Sequence, residues 1–264
     1  HRYQDAAEHF KLALKRQPMN NDARNNLGNM LELDKKYAEA EACFRKISDD
    51  KGFARSKSLY CAAQRYDWSQ RKADIDTIAD RLNNDDKETH IDLFSLLSLE
   101  LPNAAELHKR AASMAAQNQY LRGLQNVSDL VKQIPSHERL HVGYLSADIH
   151  DHATMHLIAG VLENHDRSGF KIHMYSYGPP SSDTYRKHAI THCEVFHELA
   201  GFSDKAIAEQ IVADEIDVLI DLKGYTQNGR LGITALRPAP TIVSWLGYPG
   251  TLGDRRLADY ILGD

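Results

Sequence analysis

The feature that most constrains the fold is a recurrence of small and aromatic residues near the start of the chain. Ala6 and Phe10 are followed by Ala40 and Phe44 at an interval of 34 residues. Within each pair the two residues are spaced to lie on one face of a helix. The small residue lets a neighbouring helix approach closely, and the aromatic ring fills the groove between them. The recurrence therefore predicts stacked pairs of helices.

This period resembles that of the tetratricopeptide repeat. Pro18 fits the end of the first helix, and a degenerate third repeat is predicted to continue through Leu59, with a helix that opens at residues 66–68 (YDW) and runs to Leu82. Further helices are predicted across residues 90–133, with Pro102 separating two of them. Two unrelated amphipathic helices remain the alternative interpretation.

The helical region is predicted to comprise a tetratricopeptide array at residues 1–86 and a helical linker region at residues 87–136. Stacked helix pairs form a concave surface that binds extended peptide. Protein or peptide acceptors are therefore the predicted partners of the array.

From residue 137 to residue 264, short apolar runs alternate with segments of helical spacing. This alternation predicts a Rossmann-like lobe with a parallel sheet and helices on both faces. Strands are predicted at residues 140–146, 170–177, 194–199, 217–222, 241–246 and 258–262. Helices are predicted at residues 154–162, near 183–192, after an N-cap at Ser203, and near 231–236. The predicted fold class is α plus α/β.

Parallel sheets bind ligands at the carboxyl ends of their strands. The segments that follow predicted strands are His152, residues 178–180 (GPP), 223–226 (KGYT) and 247–251 (GYPGT). Topology therefore predicts a site at this edge without identifying a reaction. Lys223 is expected to pair with a nearby carboxylate such as Asp221, which we interpret as structural.

Charge and composition exclude several other classes of protein. The net charge is -5 and no basic block occurs, which argues against a binder of nucleic-acid phosphates. No apolar run reaches the ~20 residues that cross a bilayer, no secretory leader is visible, and three separated cysteines indicate a reduced, cytoplasmic protein. His152 with His156 and His188 with His192 lack the glutamate of a zinc protease motif. No metal site is predicted.

Residues 236–240 (LRPAP) and 245–251 (WLGYPGT) lie in fixed order near the end of the chain. Upstream are residues 142–148 (VGYLSAD), 152–154 (HAT) and 224–226 (GYT) with Arg230. Together with the helical array, these pieces resemble O-linked N-acetylglucosamine transferases and their SPINDLY-type relatives. The resemblance covers essentially the whole chain.

The resemblance implies an inverting, metal-independent glycosyltransferase of the two-lobed GT-B type. Such an enzyme moves a sugar from a nucleotide diphosphate to a Ser or Thr hydroxyl. The implied donor substrate is UDP-N-acetylglucosamine, and no cofactor is expected. The chain matches the first lobe only, so we expect it to be a fragment, cut at both ends, that is inactive without the second lobe.

The resemblance also implies roles for individual residues. His152 matches the histidine that faces the reacting centre, where an imidazole could orient the acceptor hydroxyl or accept its proton. A phosphate oxygen of the donor is the competing proton acceptor. Arg230 is implied to lie near the donor phosphate or the acceptor backbone. The residues implied to bind the sugar or donor are Tyr225, Thr226, Leu246, Gly247, Tyr248, Pro249, Gly250 and Thr251.

Departures from the family pattern keep two alternatives open. Ala153 stands where the family usually has proline, and Val195 takes the place of a second family histidine, with His197 nearby and given no role. One alternative is a GDP-fucose-dependent protein O-fucosyltransferase, although Gly250 favours the N-acetylglucosamine branch. The other is a non-catalytic tetratricopeptide scaffold that carries a degenerate transferase lobe.

Overall fold

The computed structural model describes residues 2–48, 52–84, 89–124 and 137–263. Its contacts divide the chain into two compact units, His1–Ala115 and Ala116–Asp264. The finer division at residues 1–86, 87–136 and 137–264 stays a prediction. The helical stretch predicted at residues 125–133 lies outside the described residues.

The first unit is helical throughout its described residues. Consecutive helices pack from α1 to α5, and α7 packs on α5 and α6. Pro102 lies between α6 and α7, as predicted, because a proline ring and its missing N–H end a helix. The helices are α1 (Arg2–Arg16), α2 (Asn21–Leu33), α3 (Tyr37–Phe44), α4 (Phe53–Gln64), α5 (Arg71–Asn83), α6 (Leu93–Leu96) and α7 (Ala104–Ala115).

The second copy of the recurring pair lies at the centre of this unit's core. Ala40 and Phe44 are both buried, in a cluster that also contains Leu27 and Leu31. A Cβ atom added to Gly28 would lie 2.6 Å from Cε1 of Phe44, so α2 and α3 approach too closely for any larger residue. The predicted pairing of a small residue with an aromatic ring is confirmed at this position.

The predicted start of the fifth helix was wrong. The helix begins at Arg71 instead of at residues 66–68. Tyr66 is 84% exposed and has a φ of 59°, a left-handed conformation that a helix cannot contain. The Asp67 carboxylate accepts the backbone N–H of Ser69 at 3.0 Å, which closes a local turn in place of a helical turn.

The second unit begins with a π-helical segment, Ala116–Leu121. Its described strands and helices then alternate as far as the fifth strand, which the sixth follows without a helix between them, and each element lies within two residues of its predicted bounds. The strands are β1 (Leu140–Ser146), β2 (Phe170–Ser176), β3 (Val195–Glu198), β4 (Val218–Asp221), β5 (Thr241–Trp245) and β6 (Tyr260–Leu262). The helices are α8 (Ala153–Glu163), α9 (Thr184–Thr191), α10 (Asp204–Ala213) and α11 (Leu231–Ala235).

The six strands form one sheet in the order β3-β2-β1-β4-β5-β6, and every neighbouring pair is parallel. The order reverses between β1 and β4. At such a switch point the loops that leave the two strands run to opposite faces, which opens a crevice at their carboxyl ends. The topology therefore places a candidate site beyond Ser146 and Asp221.

The two faces of the sheet are covered by separate apolar cores. On one face, Tyr175 packs with Ile207 and Ile211 of α10, and on the other, Met174 packs with Met155 and Ile158 of α8. Successive residues of β2 thus enter opposite cores, as the pleat of a strand requires. No helix in the described ranges is both long enough and apolar enough to span a membrane.

Candidate functional site

His152 caps the helix that follows the first strand. Its backbone is extended at the N-cap of α8, and its Nδ1 accepts the backbone N–H of Thr154 at 3.1 Å. An imidazole nitrogen that accepts an N–H carries no proton, so a neutral ring in this position is protonated at Nε2. The side chain is 43% exposed. The ring is therefore fixed by the helix N-terminus while part of it remains accessible from solvent.

A buried ion pair joins the ends of β1 and β4. The ammonium group of Lys223 donates to Oδ2 of Asp148, and both side chains are almost fully buried. The same carboxylate oxygen lies 3.6 Å from Nδ1 of His152. The Asp148 carboxylate thus pairs with the lysine that follows β4, and the His152 ring lies beside this pair without a hydrogen bond from Nδ1 to it. Lys223 therefore pairs with a carboxylate, as expected, and that carboxylate is Asp148 instead of Asp221.

Asp221 shapes the loop after β4. Its carboxylate accepts the backbone N–H groups of Lys223 at 3.1 Å and Gly224 at 2.8 Å. Burial raises the pKa of Asp221 to about 6, against the opposing effect of these hydrogen bonds and the nearby lysine. Its interpretation as a structural residue agrees with these contacts.

The loops after β4 and β5 meet around Tyr248. The Tyr225 and Tyr248 rings are 5.4 Å apart and nearly perpendicular, and Tyr120 of the π-helical segment lies 6.3 Å from Tyr225. A Cβ atom on Gly224 would lie 2.7 Å from that of Tyr248. Burial raises the pKa of the Tyr225 hydroxyl, which donates to the backbone oxygen of Leu252 at 3.1 Å. Three aromatic side chains thus pack together where the two loops meet.

The first turn after β5 is strained. Leu246 has a φ of 75°, and the N–H of Gly247 donates to the carbonyl of Trp245 at 3.0 Å, which together describe a γ-turn. A Cβ atom on Gly247 would lie 2.2 Å from the carbonyl oxygen of Leu222, so only glycine fits against the end of β4. Positive φ values at large residues cluster at functional sites because the surroundings must hold them.

The rest of this loop is organised by local contacts. Pro249 is exposed, and a Cβ atom on Gly250 would lie 2.8 Å from the ring of Tyr248. The Thr251 hydroxyl accepts the N–H of Gly253 at 3.2 Å. On the facing loop, the Thr226 hydroxyl donates to the carbonyl of Lys223 at 3.0 Å.

Arg230 is bound on the face of the sheet that α10 covers. Its Nε donates to Asp204 at 2.7 Å, its Nη2 donates to the carbonyl of Phe202 at 2.8 Å, and its guanidinium lies 5.4 Å from the ring centroid of Tyr177. The structure therefore brings His152 and the two loops together at the switch point, whereas Arg230 is engaged with a carboxylate of its own.

Sequence reasoning missed a buried arginine that supports the β1 loop. The Nη1 of Arg186 donates to the carbonyl of Ile149 at 2.8 Å and to the Ser176 hydroxyl at 3.0 Å, and its Nε donates to Glu198 at 3.2 Å. In the sequence Arg186 is one of several charged residues of a polar helix, which gives no signal of burial. Asp148 ends one of the pieces that carry the resemblance and Lys223 begins a segment after a predicted strand, but the two residues are 75 positions apart in the sequence.

Comparison with known proteins gives this arrangement a context. The sequence profile of glycosyl transferase family 41 matches residues 61–264. The chain is 35% identical over 134 residues to "Probable UDP-N-acetylglucosamine--peptide N-acetylglucosaminyltransferase SEC" of Arabidopsis thaliana, covering 51% of the chain and 14% of that protein. It is 40% identical over 129 residues to "UDP-N-acetylglucosamine--peptide N-acetylglucosaminyltransferase" of Caenorhabditis elegans, covering 48% of the chain and 11% of that protein.

A solved structure is similar in fold to nearly the whole chain, including residues of both units. It is an O-GlcNAc transferase mutant, K341M, from Thermobaculum terrenum, with a TM-score of 0.69 at 24% identity. The match covers 98% of this chain and 49% of that one. The matched part of the chain thus corresponds to a small share of its curated relatives and to half of the structural one.

Proposed function

Because the chain belongs to glycosyl transferase family 41, we propose that it forms the acceptor-side part of a protein O-glycosyltransferase. The sugar is N-acetylglucosamine, the donor is UDP-N-acetylglucosamine, and the acceptors are Ser and Thr hydroxyls of proteins. The observation that carries this proposal is the meeting of His152, Asp148 and Lys223 at the switch point, beside the glycine-rich loops after β4 and β5. The names of the two relatives from Arabidopsis thaliana and Caenorhabditis elegans specify UDP-N-acetylglucosamine as the donor and a peptide as the acceptor.

His152 acts in this proposal as a hydrogen-bond donor. Since Nδ1 is occupied by the N–H of Thr154, the neutral ring offers Nε2–H to an oxygen in the crevice. Accepting the proton of the hydroxyl at Nε2 would require the other tautomer and would break the helix cap. His152 therefore orients the reacting oxygen, and the hydroxyl proton passes to another acceptor, such as a phosphate oxygen of the donor.

The loops supply the walls of the sugar pocket. We assign Leu246, Gly247, Tyr248, Pro249, Gly250 and Thr251 to one wall and Tyr225 and Thr226 to the other. The hydroxyl groups of Tyr225 and Thr226 donate to backbone carbonyls. The Thr226 oxygen can still accept from a sugar hydroxyl through its lone pairs. The glycines allow backbone groups to approach the ligand closely.

Arg230 could bind a phosphate of the donor only if the phosphate displaced the Asp204 carboxylate from its guanidinium group. Its guanidinium already makes two hydrogen bonds, one of them to that carboxylate. A doubly charged diphosphate is the kind of anion that could displace a single carboxylate, since arginine binds phosphate through paired donors. The helical array of the first unit is assigned to the acceptor, as an extended peptide along its concave face.

The test uses the full-length protein with UDP-N-acetylglucosamine or GDP-fucose and a peptide library, and records mass gains on Ser and Thr. We expect one N-acetylhexosamine per modified site. His152→Phe should lose at least about 100-fold in turnover, whereas His152→Gln, which can still donate from an amide, should retain more activity than His152→Phe. His156→Gln on the same helix is the control, because its exposed ring contacts Asp151 and stacks on Tyr185, neither of which is assigned to the site.

The possible outcomes separate the alternatives. A deoxyhexose gain would replace the donor and keep the mechanism. Equal losses in His152→Gln and His152→Phe, with a pH profile that loses its acidic limb, would make His152 the general base. No gain from either donor by a folded protein would favour a non-catalytic scaffold.

A further inference from the structure

A second group of polar side chains lies at a different place on the sheet. His173 is in the middle of β2, His197 is on the neighbouring strand β3, and Asp214 follows the last turn of α10. Because α10 runs back from the carboxyl edge of the sheet to the amino edge, Asp214 lies at the edge opposite the candidate site. The group is therefore separate from the crevice at the switch point.

His173 has an unusual environment for a buried imidazole. It is 2% exposed, and within the described residues neither of its ring nitrogens has a hydrogen-bond partner. A buried polar atom without a partner is destabilising, so such atoms are uncommon and call for an explanation such as a bound ligand. Its Nδ1 lies 3.8 Å from Oδ2 of Asp214, which is too far for a hydrogen bond.

His197 lies close to the same carboxylate oxygen but does not form a hydrogen bond of normal geometry with it. Its Nε2 lies 2.7 Å from Oδ2 of Asp214, yet among the described residues that nitrogen has no partner with hydrogen-bond geometry. Two imidazole nitrogens and one carboxylate oxygen thus converge, and all three lie within 4.8 Å of one another. Ligands at ~2.1 Å around tetrahedral zinc are about 3.4 Å apart, a spacing within the range of these contacts.

From this geometry we propose that His173, His197 and Asp214 form a binding site for a divalent transition metal, with Zn²⁺ as the best match. Two imidazoles and one carboxylate are ligands that zinc accepts readily. The three side chains come from β2, β3 and the end of α10, so a bound ion would tie the edge of the sheet to the helix above it. The role is structural and independent of the proposed glycosyl transfer.

The surroundings fit a site of this kind. Gln210 donates its amide N–H to Oδ1 of Asp214 at 3.1 Å, and the Tyr175 hydroxyl donates to Oδ2 at 2.6 Å. Such contacts orient a ligating carboxylate. The side chains of His197 and Asp214 are 21% and 16% exposed, so the group is accessible from solvent, which would supply the fourth ligand as a water.

The same region contains a matched control. His137 is another histidine near the end of α10, but its two ring nitrogens contact Asp217 and Glu215, each at 3.1 Å. Its nitrogens are therefore occupied, and it is not part of the proposed triad. A variant at this residue removes one histidine from the same region without removing a ligand.

The experiment uses the full chain, stripped with a chelator, dialysed and titrated with Zn²⁺ alone. We expect one Zn²⁺ per chain by elemental analysis, a rise in Tm of about 5 °C or more at 100-fold excess over Kd, and the strong visible absorption of four-coordinate cobalt when Co²⁺ is used instead. His197→Gln and Asp214→Asn should each weaken binding by at least about 100-fold, while His137→Gln should bind as the wild type does. Circular dichroism checks that each variant is folded.

Two results would overturn the proposal. Absence of stoichiometric binding by the wild type would show that the three side chains do not hold a metal. Binding that survives in both folded ligand variants, or that is lost in His137→Gln, would place the ion elsewhere among the chain's 14 histidines. Glycosyl transfer is not measured, so failure of the metal site and failure of the proposed function remain distinguishable.

Discussion

Removal of the Lys223 ammonium group should destabilise the second unit strongly. Lys223 is the ion-pair partner of Asp148, and both side chains are at most 7% exposed. Lys223→Met keeps most of the apolar length of the side chain but leaves the Asp148 carboxylate buried without its charge partner. Breaking a buried pair in this way costs about 3–5 kcal/mol in the free energy of unfolding.

The reasoning depends on the orphaned charge, so a second substitution should recover much of the loss. In the double variant Asp148→Leu with Lys223→Met, no buried charge of the pair remains, and replacement of buried ion pairs by apolar side chains is often neutral. We therefore expect the double variant to be more stable than Lys223→Met by about 2 kcal/mol or more. Lys205→Met is the control, because that lysine is exposed, 3.7 Å from Glu209, and such pairs are worth about 1 kcal/mol or less.

The assay is urea unfolding followed by circular dichroism, at one pH for the wild type, Lys223→Met, Asp148→Leu, the double variant and Lys205→Met. Similar m-values would allow the midpoints to be compared as free energies. If the double variant loses the sum of the two single losses, the two side chains are not coupled and the argument from the buried pair is wrong. If Lys223→Met loses no more than Lys205→Met, the ammonium group contributes no more than a surface charge.

Three further predictions concern other parts of the chain. Burial raises the pKa of Asp221 to about 6 from an unfolded value of about 3.9, so between these pH values the folded state binds more protons than the unfolded state. As the pH rises from 4 to 7, the free energy of unfolding of the wild type should therefore fall by about 2–3 kcal/mol relative to that of Asp221→Asn. Urea unfolding at each pH measures this difference. Phe44→Ala should cost about 3–5 kcal/mol in thermal or urea unfolding, against about 1 kcal/mol or less for Phe94→Ala, whose ring is half exposed. Equal losses would contradict the packing argument. Gly247→Ala should cost about 1–3 kcal/mol because its new methyl would lie 2.2 Å from a backbone oxygen, whereas Gly160→Ala, with open space at a helical position, should raise the Tm.

The strands and helices of the second unit could be predicted because local pattern and burial agree there. A central parallel strand is buried on both faces, so β1 and β4 read as continuous apolar runs with sharp ends. The N-cap at Ser203 was visible for the same reason, since its side chain accepts the N–H of Ala206 at 3.2 Å, three residues on. By contrast, the turn at Tyr66 depends on a left-handed φ, which could not be predicted from a tyrosine at this position.

Most of the candidate site lay beyond local pattern. The resemblance located His152 and the loops, but the Asp148–Lys223 pair and the burial of Arg186 follow from strands that meet only after folding. The group of His173, His197 and Asp214 comes from three elements with no readable ligand spacing. The strand order decides which residues of different strands become neighbours in a site, and a single sequence does not reveal that order.

The strand order also has a consequence for synthesis on the ribosome. β1, the first strand to emerge, can pair on one side with β2 as soon as that strand follows. Its other side has no partner until β4 has been made, and Lys223 emerges 75 residues after Asp148. The half of the sheet from β1 to β3 is therefore complete while the central strand still has an open edge. Because an unpaired strand edge can pair with other chains, we expect this lobe to need a chaperone most at that stage of synthesis.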